Sequence, residues 1–477
     1  MKILFILPDV DSFHKLNIHF GIATLAGFLK ANGYNDIRFL AVTSVEDYAR
    51  IIREVEGYKP DIVGFTSVET QFKHVIALSE KIKEAHGCIA VVGGVYNTLF
   101  PESIKDAKAL DGAFKGESET GFLKFVRVVE KGEDYRKVDN FCYYDEKEGR
   151  VIQNRLAPME ENLDLFGIPD RGIFDFQSII DSYGGAAPFM FNRGCPYNCS
   201  FCSNHALASV YGRLSNKTRR RSVDLCIKEI KGITSQYKLE VIHVWDDLFT
   251  SHRKWLQEFL DKYKKEISLP FMCTTRSNLC DEELFKALKD SGCYRVHMSL
   301  ESGNDFIRNK VMKRNISKAQ IERSFDLAHK YGIEVNASSI IGLPFETQEM
   351  IEETIGLLGS LKVESCGVNI FYPYKGTQLR KVCEEYGLLE ADEAQRHATQ
   401  ERRYSILKLP HISMEKLQYY FNNFEVLVRQ REGFMPYLKS KLKMTAKKVL
   451  PESMQAAIRK MRSKKHNKQD FPDGLEE

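Results

Sequence analysis

Cys195, Cys199 and Cys202 stand in one short run, Asn192-Arg193-Gly194-Cys195-Pro196-Tyr197-Asn198-Cys199-Ser200-Phe201-Cys202, a C-x3-C-x2-C spacing with an aromatic residue directly before the last cysteine. Three thiolates held this closely can ligate three corners of a cubane iron–sulfur cluster. An electron-carrying [4Fe–4S] cluster takes four cysteines, so a loop that supplies three leaves one iron open to a substrate or cosubstrate. His205 follows Cys202 by three residues. A closed Cys3His zinc site is therefore the formal competitor, although zinc ligands usually arrive as two separated pairs. An iron–sulfur redox or sensor protein is the non-enzyme alternative, and it would take a fourth protein ligand such as His205. The remaining cysteines, among them Cys88, Cys142, Cys226 and Cys273, are scattered singly in apolar or helical contexts, the pattern of buried reduced thiols.

A chain of 477 residues with 43% hydrophobic content has the composition of a soluble globular protein of two or three domains. Its formal net charge of +4 is too small to indicate a nucleic-acid partner. The apolar stretch from Ile3 to Leu7 is short and runs straight into Pro8-Asp9, which reads as a first strand and not as a secretory signal. No segment approaches the length of a membrane span. An odd number of cysteines, 11, without such a signal points to the reducing cytoplasm.

The elements that must position the cysteine loop alternate strand and helix. Residues 2–7, 62–66 and 89–92 read as strands. Ile22, Leu25, Ala26 and Leu29 recur at helical spacing before a capping Gly33, and a second helix is expected over residues 72–85. Strands joined by helices pair in parallel, and such a doubly wound α/β sheet binds ligands beyond the carboxyl ends of its strands. That places candidate loops at residues 8–17, 66–70, 93–95 and 116–119. From about residue 134 the rhythm breaks into a small hairpin, residues 141–144 and 151–152, and an irregular crossing through Pro169-Asp170-Arg171. A second alternating series follows, with strands near residues 189–192, 241–245, 271–275, 295–300, 334–340 and 368–372. Six strand–helix units suit a partial (β/α)6 barrel of TIM type, and the cysteine loop follows its first strand. The expected division is a first domain over 1–133, a linker with a hairpin over 134–185, a barrel over 186–387 and a helical C-terminal region over 388–477.

These residues match a known family. Residues 186–380 resemble the radical S-adenosylmethionine (SAM) enzymes, and residues 1–130 resemble the Rossmann/flavodoxin-like cobalamin-binding domain that precedes the barrel in the cobalamin-dependent class, to which the radical SAM C-methyltransferases belong. The resemblance rests on the cysteine loop together with Val244-Trp245-Asp246-Asp247, Thr275-Arg276-Ser277-Asn278, Ser299-Leu300-Glu301-Ser302-Gly303, Lys313-Arg314-Asn315, Ile341-Gly342-Leu343-Pro344 and Tyr372-Pro373-Tyr374, all at expected strand ends. It implies that Cys195, Cys199 and Cys202 ligate a [4Fe–4S] cluster whose fourth iron is chelated by SAM. It further implies SAM contacts at Phe201 (adenine, through backbone), Asp247 (methionine amino group), Arg276, Ser299, Glu301 (ribose), Arg314 (methionine carboxylate) and Gly342 (adenine). Read from the residues alone, Asp247 has a rival role as a helix cap, and Arg276 and Arg314 have one as surface ion pairs.

The corrinoid contacts of the family would fall on Thr66, Ser67, Gly93, Gly94, Val95, Gly116 and Glu117. The D-x-H-x-x-G element that gives cobalt a histidine in other cobalamin proteins is missing here, because Asp11 and His14 are misspaced. The implied activity is reductive cleavage of SAM and methylation of an unactivated carbon in a small-molecule or lipid-linked substrate, with an electron donor such as flavodoxin or ferredoxin. A cobalamin-assisted cyclase or rearranging enzyme and a cobalamin-free radical SAM enzyme are the alternatives.

Beyond residue 388, Leu417, Tyr420, Phe421, Phe424 and Val428 mark an amphipathic helix over 414–431, closed by Gly433, that is expected to cap the barrel. Phe434, Leu438 and Leu442 then share a face beside Lys439, Lys441 and Lys443, and residues 459–468 are strongly basic. A solvated tail is the default reading. Peripheral contact with an anionic membrane surface is the sharper one.

Overall fold

In a computed structural model of the chain, the described residues are 1–10, 17–212, 217–389 and 402–449, with side chains described as far as 444. The order in the first part is β1 (Ile3–Pro8), α1 (Phe20–Ala31), β2 (Ile37–Val42), α2 (Tyr48–Tyr58), β3 (Ile62–Thr66), α3 (Phe72–Ala85), β4 (Ile89–Gly93), α4 (Val95–Leu99), β5 (Gly112–Phe114), α5 (Glu119–Glu130), β6 (Phe141–Asp145) and β7 (Arg150–Gln153). These strands form one sheet in the order β2-β1-β3-β4-β5-β6-β7. The pairs from β2 to β5 are parallel. Ile3, Leu4, Phe5 and Ile6 are all buried, as a strand covered by helices on both faces requires. The 2-1-3-4-5 order reverses direction between β1 and β3, and in sheets of this kind the ligand crevice lies at that reversal.

The hairpin expected in a linker is instead part of this sheet. β6 pairs antiparallel with β5 through Ala113 and Phe114, and β7 pairs with β6. The physical reason is the edge of β5: Phe141 stacks among Phe114 and Phe125, and Cys142 is buried, so the hairpin covers an edge that would otherwise face water. The sequence reading also passed over β2 and the short β5.

The second part runs α6 (Phe176–Ser182), β8 (Ala186–Phe189), β9 (Asn192–Arg193), α7 (Ser203–Val210), β10 (Arg219–Arg220), α8 (Val223–Gln236), β11 (Val241–Val244), α9 (Arg253–Glu266), β12 (Phe271–Thr275), α10 (Glu282–Asp290), β13 (Cys293–Glu301), α11 (Lys318–Lys330), β14 (Glu334–Ile341), α12 (Gln348–Ser360), β15 (Ser365–Ile370) and α13 (Gln378–Glu385). Strands β8 and β11 to β15 make a six-stranded sheet, parallel throughout, in the order β15-β14-β13-β12-β11-β8. This is the half-barrel anticipated from the alternation. β9 and β10 pair separately as a small antiparallel ribbon beside it.

One face of the half-barrel, with Cys273, Val296, Met298, Val335 and Ala337, is buried in a core shared with Phe259, Phe285 and Phe325 of the covering helices. The register puts His243, Thr274, His297, Ser299, Asn336 and Ser338 on the opposite, half-open face. The last two helices among the described residues are α14 (Met414–Glu432) and α15 (Phe434–Val449). The Leu417, Tyr420, Phe424 and Val428 stripe of α14 is buried against the barrel core, as its spacing predicts. The basic run 459–468, and Asp11 and His14, lie outside the described residues.

Arg171, in the crossing segment, is the bolt between the two parts. Its guanidinium, 1% exposed, pairs with Glu229 of α8 at 2.6 Å, and Glu229 also pairs with Arg221. It lies over the rings of Phe20 in α1, Phe176 in α6 and Phe189 in β8, at 5.7, 5.3 and 4.7 Å from their centroids.

Candidate active site

The carboxyl edges of the two sheets face each other across one cavity. From the first sheet come His19, Thr66, Gly93, Gly94, Val95, Gly116 and Glu117; from the barrel side come Asn192, Arg193, Gly194, Asn204, Tyr211 and Asp247. Its volume is about 410 Å³, within the range of small-molecule and cofactor sites. Of the residues assigned to a corrinoid by resemblance, only Ser67 lies off the cavity wall. It is buried behind Gly94, whose φ of +105° leaves no room for a side chain: a Cβ there would stand 2.7 Å from the Ser67 carbonyl. At Gly93 nothing lies within 4 Å of a Cβ position, so the backbone is bare to the cavity.

Glu117 does more than line the wall. It pairs with Arg219 of β10 and, at 3.6 Å, with Arg193 of β9, while Arg193 reaches Glu119 at 2.5 Å. These arginines hold its carboxyl below the usual carboxylate range in spite of burial. The Tyr211 hydroxyl accepts a hydrogen bond from the Glu117 amide at 2.7 Å and sits against Gly116. The β9–β10 ribbon is thus tied by charge to the loop after β5. His19, which the sequence reading missed, caps α1: its Nδ1 accepts from the Ile22 amide at 3.1 Å and its Nε2 faces the Thr66 hydroxyl at 3.4 Å. Burial lowers its pKa to about 4, so the ring is neutral. Its place directly before the first apolar residue of a helix was the available signal.

The cysteine loop follows β9. It is pinned by Ser200, whose amide donates to the Met312 carbonyl and whose hydroxyl donates to that of Val311, and by the Leu379 amide of α13, which donates to the Ser200 carbonyl. Cys202 begins α7. Among the described residues no three His, Cys, Asp or Glu side chains converge on one metal-ion position. His205 turns its Nε2 toward Gln378 of α13. Burial pushes the Cys202 thiol up to about 12 and raises that of Cys195. The thiolate is the metal ligand, so binding of a metal at this loop would release those protons. Arg276, directly after β12, lies 3.7 Å over the Tyr197 ring, and its Nη1 is 3.6 Å from the Cys199 sulfur.

The remaining residues assigned to SAM by resemblance gather at the ends of β11 to β14. Asp247 opens onto the cavity, where Asn204 and the Gly194 amide hydrogen-bond it while desolvation raises its pKa. It caps no helix, since Leu248 and His252 stand at the starts of the two that follow. Arg276 and Arg314 are buried, not surface ion pairs. Arg314 donates to Glu301 at 3.1 Å and to the Ser299 carbonyl at 2.8 Å. Glu301 itself sits at φ +65°, beside a register shift in β13, a strained position of the kind found at ligand sites. Phe201 joins a small core with Met312 and Leu343. Gly342 faces Leu417 of α14, and its amide donates to Glu346 at 2.6 Å.

The residues present fit the cofactors that such a site calls for. Asn192 lines the cavity, 3% exposed, with neither amide atom hydrogen-bonded among the described residues. Buried polar atoms of this sort call for a polar occupant.

Comparison with known proteins agrees. A B12 binding domain model matches residues 9–126, and a radical SAM superfamily model matches residues 189–358. An uncharacterized methyltransferase of Pyrococcus horikoshii is 27% identical over 430 residues, covering 87% of this chain and 90% of that protein. The anaerobic magnesium-protoporphyrin IX monomethyl ester cyclase of Rubrivivax gelatinosus is 29% identical over 371 residues, covering 74% of this chain and 65% of that one. The solved structure of the radical SAM methyltransferase TsrM from Kitasatospora setae superposes with a TM-score of 0.68 at 15% identity, covering 90% of this chain and 89% of that chain, which shows a common fold. The cofactors of these two domains are cobalamin in the first and a [4Fe–4S] cluster with SAM in the second. The chain belongs to the radical SAM enzymes that carry an N-terminal B12-binding domain.

Proposed function

We propose that this enzyme is a cobalamin-dependent radical SAM methyltransferase that methylates an unactivated carbon of a small molecule. The observation that carries the reading is the single cavity into which both sheets open, with the glycine-lined loops of the first facing Asp247 and Gly194 of the second. Cys195, Cys199 and Cys202 would hold the cluster, and Asp247, Arg314 and Glu301, with Phe201, Arg276, Ser299 and Gly342, would hold SAM. Thr66, Gly93, Gly94, Val95, Gly116 and Glu117 would hold cobalamin, with Ser67 supporting Gly94 from behind. When bound, these groups supply one-electron reduction, cleavage of a sulfonium and carriage of a methyl group.

The chain's own residues bind, orient and exclude water. Asp247 offers an anion to an ammonium group, and Arg314 a planar cation to a carboxylate. Arg276, stacked on Tyr197, holds positive charge against the cysteine loop. The half-open face of the barrel would receive the substrate at His297 and Ser338, linked at 3.3 Å beside the SAM residue Ser299, and burial keeps His297 neutral. Such a face offers hydrogen bonds without net charge, which favours a polar uncharged group. A flavodoxin- or ferredoxin-type protein would supply the electron, and the odd number of cysteines, 11, suits a reducing cytoplasm.

The likeness to the magnesium-protoporphyrin cyclase favours a second reading, a cobalamin-assisted cyclisation. One experiment separates the two. Anaerobically reconstituted enzyme is incubated with SAM, reductant and extracts of its host, and products are followed by mass spectrometry. Methyl transfer yields S-adenosylhomocysteine together with a product heavier by one methylene; 5′-deoxyadenosine without either would set methyl transfer aside. Perturbation of the cluster's electron paramagnetic resonance signal by SAM tests the open iron independently.

A further inference from the structure

The C-terminal helix α15 presents an outward face that neither cofactor domain uses. Immediately after Gly433 the chain turns back, and α15 lies on α14: Ser440 is buried, and Lys443 pairs with Glu425 of α14 at 2.8 Å. The opposite side is open, with Phe434 73%, Met435 58%, Leu438 39% and Leu442 62% exposed. At 3.6 residues per turn these four side chains share about 100° of arc, and Lys439 and Lys441 fall about 40° and about 20° beyond its two edges. Lys441 reaches the Tyr437 hydroxyl at 3.1 Å, and Lys439 is exposed. The sequence of α15, FMPYLKSKLKMTAKKV, holds no acidic residue. Further along the sequence, residues 459–468 are rich in lysine and arginine, before an acidic end with Asp470, Asp473, Glu476 and Glu477.

We propose that α15 is an interfacial anchor that lays this face on an anionic lipid surface. No helix among the described residues is long and apolar enough to cross a membrane, so the contact is peripheral. The arrangement is that of a helix lying in the plane of the headgroups: an apolar strip that dips into the acyl boundary, flanked on both sides by lysines at headgroup level. Charge chooses the occupant. A second copy of α15 would bring lysine against lysine, whereas a layer of phosphodiester headgroups meets both flanking rows with opposite sign. Substrate and cofactor chemistry play no part in the argument, so the anchor stands or falls apart from the proposed methyl transfer.

The test is flotation of the full-length, cofactor-loaded enzyme with vesicles of phosphatidylcholine alone and of equimolar phosphatidylcholine and phosphatidylglycerol. The wild type is expected to float with the anionic vesicles and to be released by high salt. Lys439→Gln with Lys441→Gln should weaken partitioning, each lysine near an anionic surface contributing roughly a fivefold factor, so about 25-fold for the pair. Leu438→Glu with Leu442→Glu should abolish it, while cluster absorbance and SAM cleavage in vesicle-free buffer stay at wild-type levels. Absence of wild-type flotation with anionic vesicles overturns the proposal. So does equal binding to neutral vesicles, or a dimer in light scattering that the glutamate variant dissolves.

Discussion

Replacing Arg314 by Met separates the structural from the ligand-binding share of the Glu301–Arg314 pair. Both side chains are about a tenth exposed, at 8% and 10%. Removing one partner of a buried pair costs about 3–5 kcal/mol, and this residual exposure argues for the lower end, about 3 kcal/mol. For a domain of this size that lowers the melting temperature by roughly 6–12 °C. Burial already raises the Glu301 pKa, and Arg314 is the largest influence opposing it. Without Arg314 it rises further, so the folded state binds a proton that the unfolded state releases. A carboxyl with its folded pKa above its ordinary value costs stability as pH rises from about 4.5 through that folded pKa, and costs nothing below.

The deficit of Arg314→Met should therefore be largest near pH 8 and shrink toward about pH 5. Adding Glu301→Gln should restore most of the stability at both pH values, because the unpaired charge is gone. SAM binding, measured by equilibrium dialysis with the cluster-loaded enzyme, should remain lost in the double variant. A pH-independent deficit would refute the electrostatic argument, and recovered SAM affinity in the double variant would refute the assignment of Arg314 to the methionine carboxylate.

Gly94→Ala places a Cβ against the Ser67 carbonyl at a positive φ; roughly 1–3 kcal/mol of backbone cost is expected, along with loss of the bound corrinoid's visible absorbance after desalting. Glu229→Gln leaves Arg171 and Arg221 buried without an anion and should lower the urea midpoint by the equivalent of about 3–5 kcal/mol, a loss that Arg221→Met partly recovers. Asp246 accepts the Phe191 and Asn192 amides on one oxygen while burial raises its pKa to about 7. Stability therefore declines as pH rises from about 4 to about 7, and Asp246→Asn should flatten that decline in urea titrations and gain stability over the wild type at alkaline pH. His297→Ala should raise KM for the substrate roughly two- to tenfold through one lost hydrogen bond, with substrate-independent SAM cleavage unchanged.

Much of the architecture was legible because parallel sheets write themselves as apolar strands alternating with amphipathic helices. α3, α14 and the four middle strands of the half-barrel fall where the spacing puts them; the first strand, β8, lies three residues before the expected 189–192, whose end belongs to the separate β9–β10 ribbon, and β15 starts three residues before the expected 368. The hairpin was recognised as a hairpin but attached to a linker, since what fixes its partner is the uncovered edge of β5, a non-local fact. The cysteine loop was legible through its spacing. Glu117 was assigned only to a ligand, yet its strongest partners are Arg219 and Arg193, far along the chain. No periodicity could announce that. The same holds for Arg171 and Glu229, 58 residues apart in sequence and paired only through the tertiary fold.

Caging one guanidinium among Phe20, Phe176 and Phe189 has a mechanical consequence. Only Phe20 comes from the first part, so a hinge between the sheets would have to strip that ring from the cation and open the Glu117–Arg219 and Glu119–Arg193 pairs, which together oppose a change in the separation between the glycine-lined loops and the cysteine loop. The two sheets then stand as the jaws of a vise, preset around one chamber by that packing and those ion pairs.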